Sequence, residues 1–122
     1  MQKKKVMLYC RVAADNYENS KLTKQGQHLR NFAEKQNYEI VETVKEHCSG
    51  TNLDRPGINR IHEIVECGGV EAIIAENISR YGRCSLRKIA DFVESLKEKK
   101  VPVLTIDNGN LKNILPILKL FS

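Results

Sequence analysis

Four short apolar runs alternate with three stretches of helical periodicity, and this alternation is the strongest constraint on the fold of the chain. The runs are rich in valine, isoleucine and leucine, which is typical of buried strands. They cover residues 6–12, 38–44, 70–75 and 101–106. This order predicts a single α/β domain with a four-stranded, mainly parallel sheet and helices on both faces.

The three helical stretches carry boundary signals. Ser20 can cap the first helix, Pro56 suits the first turn of the second, and the glycine pair at 68–69 stops it. The third ends in lysines, which are favourable at the negative end of a helix. The apolar positions that predict three buried faces are Leu22, Leu29, Phe32 and Ala33; Ile58, Ile61, Ile64 and Val65; and Leu86, Ile89, Ala90, Val93 and Leu96.

Composition limits the class of protein. A length of 122 residues suits one domain, and no apolar run reaches the roughly 18 residues of a membrane span, so we expect a soluble protein without membrane contact. The cysteines form no C-x-x-C pair and predict buried or half-buried thiols in a reducing cytoplasm: Cys10, Cys48, Cys67 and Cys84. The three histidines lack metal-ligand spacing and no glycine-rich phosphate loop is present, so we expect no metal and no cofactor.

The chain carries a formal net charge of +5, from 20 lysines and arginines against 15 acidic residues. This excess permits attraction to a polyanion such as DNA, because neutralised phosphates release condensed counterions. A solvated basic surface explains the same charge. The charge alone therefore does not identify a partner.

Several polar side chains follow the predicted strands. Arg11 and Ala13 leave the end of the first strand, and Ser79, Arg80 and Arg83 follow the third. In open parallel sheets, binding sites form beyond the carboxyl ends of the strands. We therefore expect these loops to converge at one edge of the sheet.

Five motifs occur in order along the chain. They are Y-x-R-V-x-x-D at residues 9–15, Leu22-x-x-Gln25-x-x-x-Leu29, Ser49-Gly50, Asp54-Arg55-Pro56-Gly57 and Ser79-Arg80-x-x-Arg83. Together they resemble the catalytic domain of the serine recombinases, the resolvase/invertase family, over about residues 6–106. The resemblance implies a three-layer αβα fold and DNA cleavage and strand exchange through a 5′-phosphoserine intermediate.

The resemblance also assigns site residues. It places Arg11, Arg55, Arg80 and Arg83 around the scissile phosphate and Gln25 close to the same site. Arginine suits this task because its planar fork donates parallel hydrogen bonds and stays protonated. Simpler roles remain open for each: Arg11 could pair with Asp15, Arg55 with Asp54 or Glu63, and Arg80 and Arg83 could form a solvated helix start.

Two positions depart from the family pattern. Ala13 occupies the position of the nucleophilic serine, so no covalent link to DNA can form there. Ser79 stands where the family usually has an aspartate, and a serine brings no negative charge. Cys10 is no substitute nucleophile, because three residues along a strand place its side chain on the opposite face from Ala13. The chain as written is expected to be inactive.

Three functions follow as alternatives. In the first, the chain is the catalytic domain of a truncated or mutated recombinase. In the second, it is a non-catalytic relative that serves as a dimerisation, regulatory or DNA-binding module. A flavodoxin-like domain for a phosphorylated ligand is a third class, and the absence of a glycine-rich loop argues against it.

The end of the chain is apolar on nearly every side. We divide the chain into a catalytic-type domain at 1–109 and a tail at 110–122, in which Pro116 prevents a long straight helix. An apolar tail is costly to leave in water, so it either folds back onto the sheet or buries against a second copy. The expected partners are therefore DNA and a homo-dimer or higher oligomer.

Overall fold

The alternation of strands and helices is realised as a three-layer αβα domain, in a computed structural model that describes residues 3–13, 20–114 and 116. The elements in chain order are β1 (Lys5–Val12), α1 (Ser20–Lys35), β2 (Glu39–His47), α2 (Pro56–Glu66), β3 (Ala72–Ala75), α3 (Ile78–Tyr81), α4 (Leu86–Lys97), β4 (Val103–Thr105) and β5 (Gly109–Asn110), followed by a 3₁₀ turn (Leu111–Ile114). The predicted α/β class and three layers are confirmed.

The sheet has the order β2-β1-β3-β4-β5, with β1, β2, β3 and β4 parallel and β5 antiparallel to β4. Four strands were predicted, and the described part of the chain contains five. The fifth is two residues long and returns from the Asp107–Asn108 turn through Gly109, whose φ of +66° favours glycine. A strand this short leaves no periodicity to find in the sequence.

Strand β1 divides the core into two halves, because its side chains alternate between the faces of the sheet. Met7 and Tyr9 pack with α2 and α4, whereas Leu8 and Cys10 pack beneath α1. All seven residues from Val6 to Val12 are buried, as expected for a central strand covered on both faces.

The boundaries of α2 follow the predicted signals, whereas the cap of α4 was not predicted. Pro56 occupies the first turn of α2, and Gly68, with φ of +72°, follows the helix end. The cap of α4 is the hydroxyl of Ser85, which accepts a hydrogen bond from the Lys88 amide at 3.2 Å. The one-turn helix α3 was not predicted separately, because four residues are too few to show a period.

Some predictions lie outside the described residues. They concern the polar loop at 15–19, the pairing of Arg11 with Asp15, and the tail from residue 117 onward. Within the described part of the chain, no helix is long and apolar enough to cross a membrane. Of the four cysteines, Cys67 is exposed and not buried or half-buried as predicted, because it follows the end of α2.

Candidate functional site

The loops that follow β1, β2 and β3 meet at the carboxyl edge of the sheet, and Arg11 lies at their centre. Its guanidinium donates from Nε to the carbonyl of Arg80 at 3.1 Å, from Nη1 to that of Cys48 at 2.8 Å, and from Nη2 to that of Ser79 at 2.7 Å. The residue is only 2% exposed. A buried guanidinium is tolerable when its donors are satisfied, so Arg11 fastens two loops to the end of β1.

The other three arginines lie close enough to Arg11 for their positive charges to act on its guanidinium. The pKa of Arg11 is lowered, first because the guanidinium is buried, and further because the positive charges of Arg55, Arg83 and Arg80 lie nearby. Among the described residues, no carboxylate pairs with Arg11, Arg55 or Arg83. The loops that carry these four arginines therefore meet at one edge of the sheet, and among the described residues the cluster is short of negative charge. A phosphate-binding role for the four arginines stays a prediction.

Gln25 completes the end of β1. Its side-chain Oε1 accepts from the Arg11 amide at 3.1 Å and its Nε2 donates to the Arg11 carbonyl at 3.0 Å. The pairing of β1 with β3 runs from Val6 to Leu8 and ends there. Beyond it, the buried amide of Gln25 makes the hydrogen bonds that a neighbouring strand would otherwise make with Arg11. Gln25 therefore lies beside Arg11, and its place at a phosphate site stays a prediction.

Arg55 is the second buried arginine, also 2% exposed. Its Nη2 donates to the carbonyl of Tyr81, its Nη1 lies 3.4 Å from that of Ser49, and its guanidinium carbon lies 5.8 Å from the centre of the Tyr9 ring. Neither Asp54 nor Glu63 pairs with it. The simpler ion pair considered for Arg55 is therefore absent among the described side chains.

The glycine of the D-R-P-G motif is explained by a close approach at the start of α2. The carboxylate of Glu46 accepts from the Gly57 amide at 3.0 Å and from the hydroxyl of Tyr9. A Cβ atom on Gly57 would lie 2.6 Å from the carboxyl carbon of Glu46 and 2.9 Å from Tyr9 Cε1. Arg55, the residue before α2, has only hydrogen-bond donors in its side chain and cannot accept from the helix amides. Glu46 of β2 supplies the negative charge at the helix N-terminus instead.

The glycine of the Ser49-Gly50 motif packs against Arg11. A Cβ atom on Gly50 would lie 2.8 Å from Arg11 Nη2 and 2.9 Å from the Arg83 amide nitrogen. The Gly50 carbonyl accepts that amide at 2.6 Å, which fixes the backbone of the loop bearing Arg83. The Arg83 side chain itself is exposed.

Two stacked tyrosines lie beneath the cluster. Tyr9 and Tyr81 are parallel, with ring centroids 5.9 Å apart, and the Tyr81 hydroxyl donates to the carbonyl of Leu104 at 2.7 Å. Burial raises the pKa of both phenols, and for Tyr9 the hydrogen bond to Glu46 adds to this effect. Both hydroxyls therefore remain donors. Sequence reasoning did not find this pair, because both residues resemble ordinary core aromatics in the sequence.

Arg80 belongs to α3 and is about a quarter exposed. Its Nη1 donates to the Arg11 carbonyl at 3.1 Å, and its Nε lies 3.7 Å from Glu76 Oε1. The other oxygen of Glu76 contacts His28 Nδ1 at 2.8 Å. Glu76 and His28 were not predicted as site residues, and only the position of Glu76 directly after β3 could have suggested it.

Ala13 is exposed just beyond β1, on the edge where the arginines converge. Nearby groups are poor replacements for a nucleophile. The hydroxyl of Ser79 donates to Asn77 Oδ1 at 2.7 Å, and burial raises the pKa of the Cys10 thiol to about 11. Cys10 is also fully buried on the face of the sheet that α1 covers.

No cluster of metal-binding side chains occurs in the described part of the chain. Among the described residues, the site is defined by guanidinium groups, the backbone carbonyls that accept from them and the partly exposed carboxylate of Glu76. Concentrated positive charge at the carboxyl edge of a parallel sheet is suited to binding an anion with several oxygens, such as a phosphate group.

Several solved structures share this fold. The N-terminal catalytic domain of TP901-1 integrase superposes with a TM-score of 0.83 at 22% identity, covering 96% of this chain and 92% of its own. A resolvase family site-specific recombinase from Streptococcus pneumoniae gives 0.82 at 25% identity, covering 97% and 85%. The C-terminal catalytic domain of ISC1926 TnpA, an IS607-like serine recombinase, gives 0.75 at 21% identity, covering 93% and 77%.

No curated protein matches the chain significantly. The model of the resolvase N-terminal domain family, however, matches residues 6–120, which is nearly the whole chain. This match includes every motif described above. The chain therefore belongs to the family of resolvase N-terminal domains.

Proposed function

We propose that this chain binds the phosphodiester backbone of DNA at the arginine cluster and does not form a covalent link to it. The observation that carries the proposal is the convergence of Arg11, Arg55, Arg80 and Arg83, of which only Arg80 is paired with a carboxylate among the described residues. The similar solved structures are described as an integrase, a serine recombinase and a site-specific recombinase. Membership in the same family supports the same class of partner.

The four arginines divide into two roles in this proposal. Arg11 and Arg55 are buried and donate to backbone carbonyls, so they hold the loops together and add positive potential. Arg80 and Arg83 are accessible, so they contact the phosphate oxygens. A cluster with a rigid interior and an accessible rim binds anions well, because few side chains have to be ordered on binding.

The absence of covalent chemistry follows from position 13. The family forms its intermediate through a serine hydroxyl, and the methyl group of Ala13 offers no oxygen. The serine hydroxyls nearest in the loops are already paired: that of Ser49 with Thr51 at 3.0 Å, and that of Ser79 with Asn77. Binding and cleavage are therefore separable in this chain.

Fluorescence anisotropy with a labelled 30-base-pair duplex tests the binding. Arg80→Ala and Arg83→Ala should each weaken binding and reduce the slope of log affinity against log salt by about one. The matched control is Arg87→Ala, which removes an exposed arginine of α4 that pairs with Asp91. Equal affinity and equal salt slope for all four proteins would exclude the arginine cluster as the DNA-binding site.

A second experiment separates an inactivated recombinase from a purely regulatory module. The variant Ala13→Ser is incubated with nicked suicide DNA substrates, and covalent adducts are sought on denaturing gels. An adduct with the variant alone supports a parent domain that performs strand exchange, since the buried scaffold around Arg11 is already assembled. Continued inertness supports a dimerisation or regulatory module, which the uncharged Ser79 favours. An adduct with the unmodified chain contradicts the proposed lack of cleavage.

A further inference from the structure

Glu76 connects three elements at the carboxyl edge. It directly follows β3, its Oε2 contacts His28 Nδ1 of α1 at 2.8 Å, and its Oε1 lies 3.7 Å from Arg80 Nε of α3. Its side chain is 20% exposed, against 56% for His28. A carboxylate held on one side by an imidazole is directed towards the guanidinium on the other.

The Arg80 guanidinium has one hydrogen bond and one ion pair among the described residues. Its Nη1 donates to the Arg11 carbonyl, and its buried Nε has no hydrogen-bond acceptor among the described residues. Glu76 is the one carboxylate in the described part of the chain that forms an ion pair with this guanidinium. Its Nη2 makes no hydrogen bond to a described residue. This donor group is therefore available to an anion.

Position 79 does not contribute a charge. The hydroxyl of Ser79 is used by Asn77 at 2.7 Å, and the Ser79 carbonyl accepts from Arg11. Whatever electrostatic support Arg80 receives therefore comes from elsewhere in the loop. Glu76 precedes Arg80 by four residues, just before α3, and the 3.7 Å between its Oε1 and Arg80 Nε shows that the carboxylate faces the guanidinium.

We propose that Glu76 is a positioning residue for Arg80, supplying from residue 76 the carboxylate that residue 79 lacks, with His28 fixing its orientation. The proposal rests on the proposed phosphate binding and names what orients one of its ligands. Glu76 holds the Nε edge, the Arg11 carbonyl holds Nη1, and Nη2 is left directed at the phosphate. A guanidinium oriented in advance binds an anion at lower entropic cost.

The sign of the effect distinguishes positioning from simple charge. If Glu76 were only a nearby negative charge, its removal would strengthen the binding of polyanionic DNA, because repulsion would be relieved. If Glu76 orients Arg80, its removal weakens binding despite that relief. Glu76→Gln keeps the size of the side chain and removes the charge, so the direction of the change is informative.

The binding test uses the full chain and the labelled duplex. Glu76→Gln should weaken binding about three- to tenfold, and the double variant Glu76→Gln, Ser79→Asp should recover most of that loss. The control Glu66→Gln removes the same charge at the far end of α2, where Glu66 pairs with Lys99 at 3.2 Å. Equal or tighter binding by Glu76→Gln, or no recovery in the double variant, would overturn the proposal.

A readout without DNA keeps the two proposals distinct. The ¹⁵N–¹H signal of Arg80 Nε, assigned by its loss in Arg80→Lys, should be sharp in the parent chain, exchange-broadened in Glu76→Gln, and sharp again in the double variant. If this pattern appears in a chain that does not bind DNA, the proposed function fails and the positioning role stands. If the signal is unchanged in Glu76→Gln, the positioning role fails whatever the DNA result.

Discussion

At the scale of single residues, the site depends on how buried charge is satisfied. Arg11 is almost inaccessible, yet its guanidinium spans carbonyls from residues 37, 68 and 69 positions away in the chain. Its positive charge is costly to bury, and the lowered pKa reports that cost. Three directed hydrogen bonds offset it. Arg11 therefore contributes to the fold and to the potential of the site at once.

Replacing Arg11 should destabilise the domain. Arg11→Ala leaves three partly buried carbonyls without this donor, and in Arg11→Lys a compact ammonium cannot reach all three directions. We expect the free energy of unfolding to fall by about 2–4 kcal/mol in both variants, measured by urea denaturation. The exposed Arg87→Ala should change it by less than about 0.5 kcal/mol. A loss in Arg11→Lys as small as that of the control would contradict the role of the planar fork.

The four thiols should differ in reactivity. In the folded protein iodoacetamide should label the exposed Cys67 first and Cys10 last, since Cys10 is buried and its pKa is raised to about 11. Peptide mass spectrometry at pH 8 measures the order. Because the folded pKa of Cys10 lies above that of an unfolded thiol, its stabilising contribution is present below about pH 9 and is lost as the pH rises through 11. Equal labelling of Cys10 and Cys67 would show that Cys10 is accessible.

At the scale of elements, the loops are shaped by close approaches that permit only glycine. The start of α2 packs on β2 so tightly that the Glu46 carboxylate reaches the Gly57 amide, and Glu46 in turn accepts from Tyr9. These two hydrogen bonds connect β2, β1 and the start of α2 next to Arg55. The D-R-P-G motif therefore holds the start of α2 against β2 and also provides Arg55.

A methyl group on Gly57 should disturb the contact between Glu46 and the start of α2. Gly57→Ala places a Cβ atom 2.9 Å from the buried Tyr9 ring and closer still to Glu46, which is held by two hydrogen bonds. We expect a loss of about 1–3 kcal/mol in unfolding free energy. The matched control is Gly69→Ala, whose added atom lies 3.4 Å from Ile64 Cγ2, an ordinary contact. Thermal and urea unfolding measure the two variants. Similar losses of unfolding free energy in both would contradict the claim that the close contact of Gly57 with Glu46 requires a glycine.

At the scale of the whole molecule, the loops that follow β1, β2 and β3 bring the arginine cluster together at the carboxyl edge of the sheet. The proposed boundary after residue 109 falls within β5, and Leu111 is fully buried in the core. A cut at 109 would therefore remove part of the sheet and a core side chain. A contact between the apolar tail and a second copy of the chain stays a prediction.

Removing residues 115–122 is the cleaner test of that contact. The shortened chain keeps β5 and Leu111, so it should remain folded, and circular dichroism verifies this. We expect the full chain to sediment as a dimer and the shortened chain as a monomer, because the tail is apolar on nearly every side and is costly to expose to water. The same oligomeric state for both chains would exclude the tail as a dimer contact.

The sequence by itself determined the layer architecture, the family and the missing hydroxyl at residue 13. Periodicity is local, so residues 6–12 already carried the alternation that separates Tyr9 from Cys10 across the sheet. The tertiary structure alone decided which arginines are buried, which carboxylate faces Arg80, and that Glu46 caps α2. Burial and hydrogen-bond direction depend on segments distant in the chain that meet only when the sheet assembles, and no local pattern encodes that meeting.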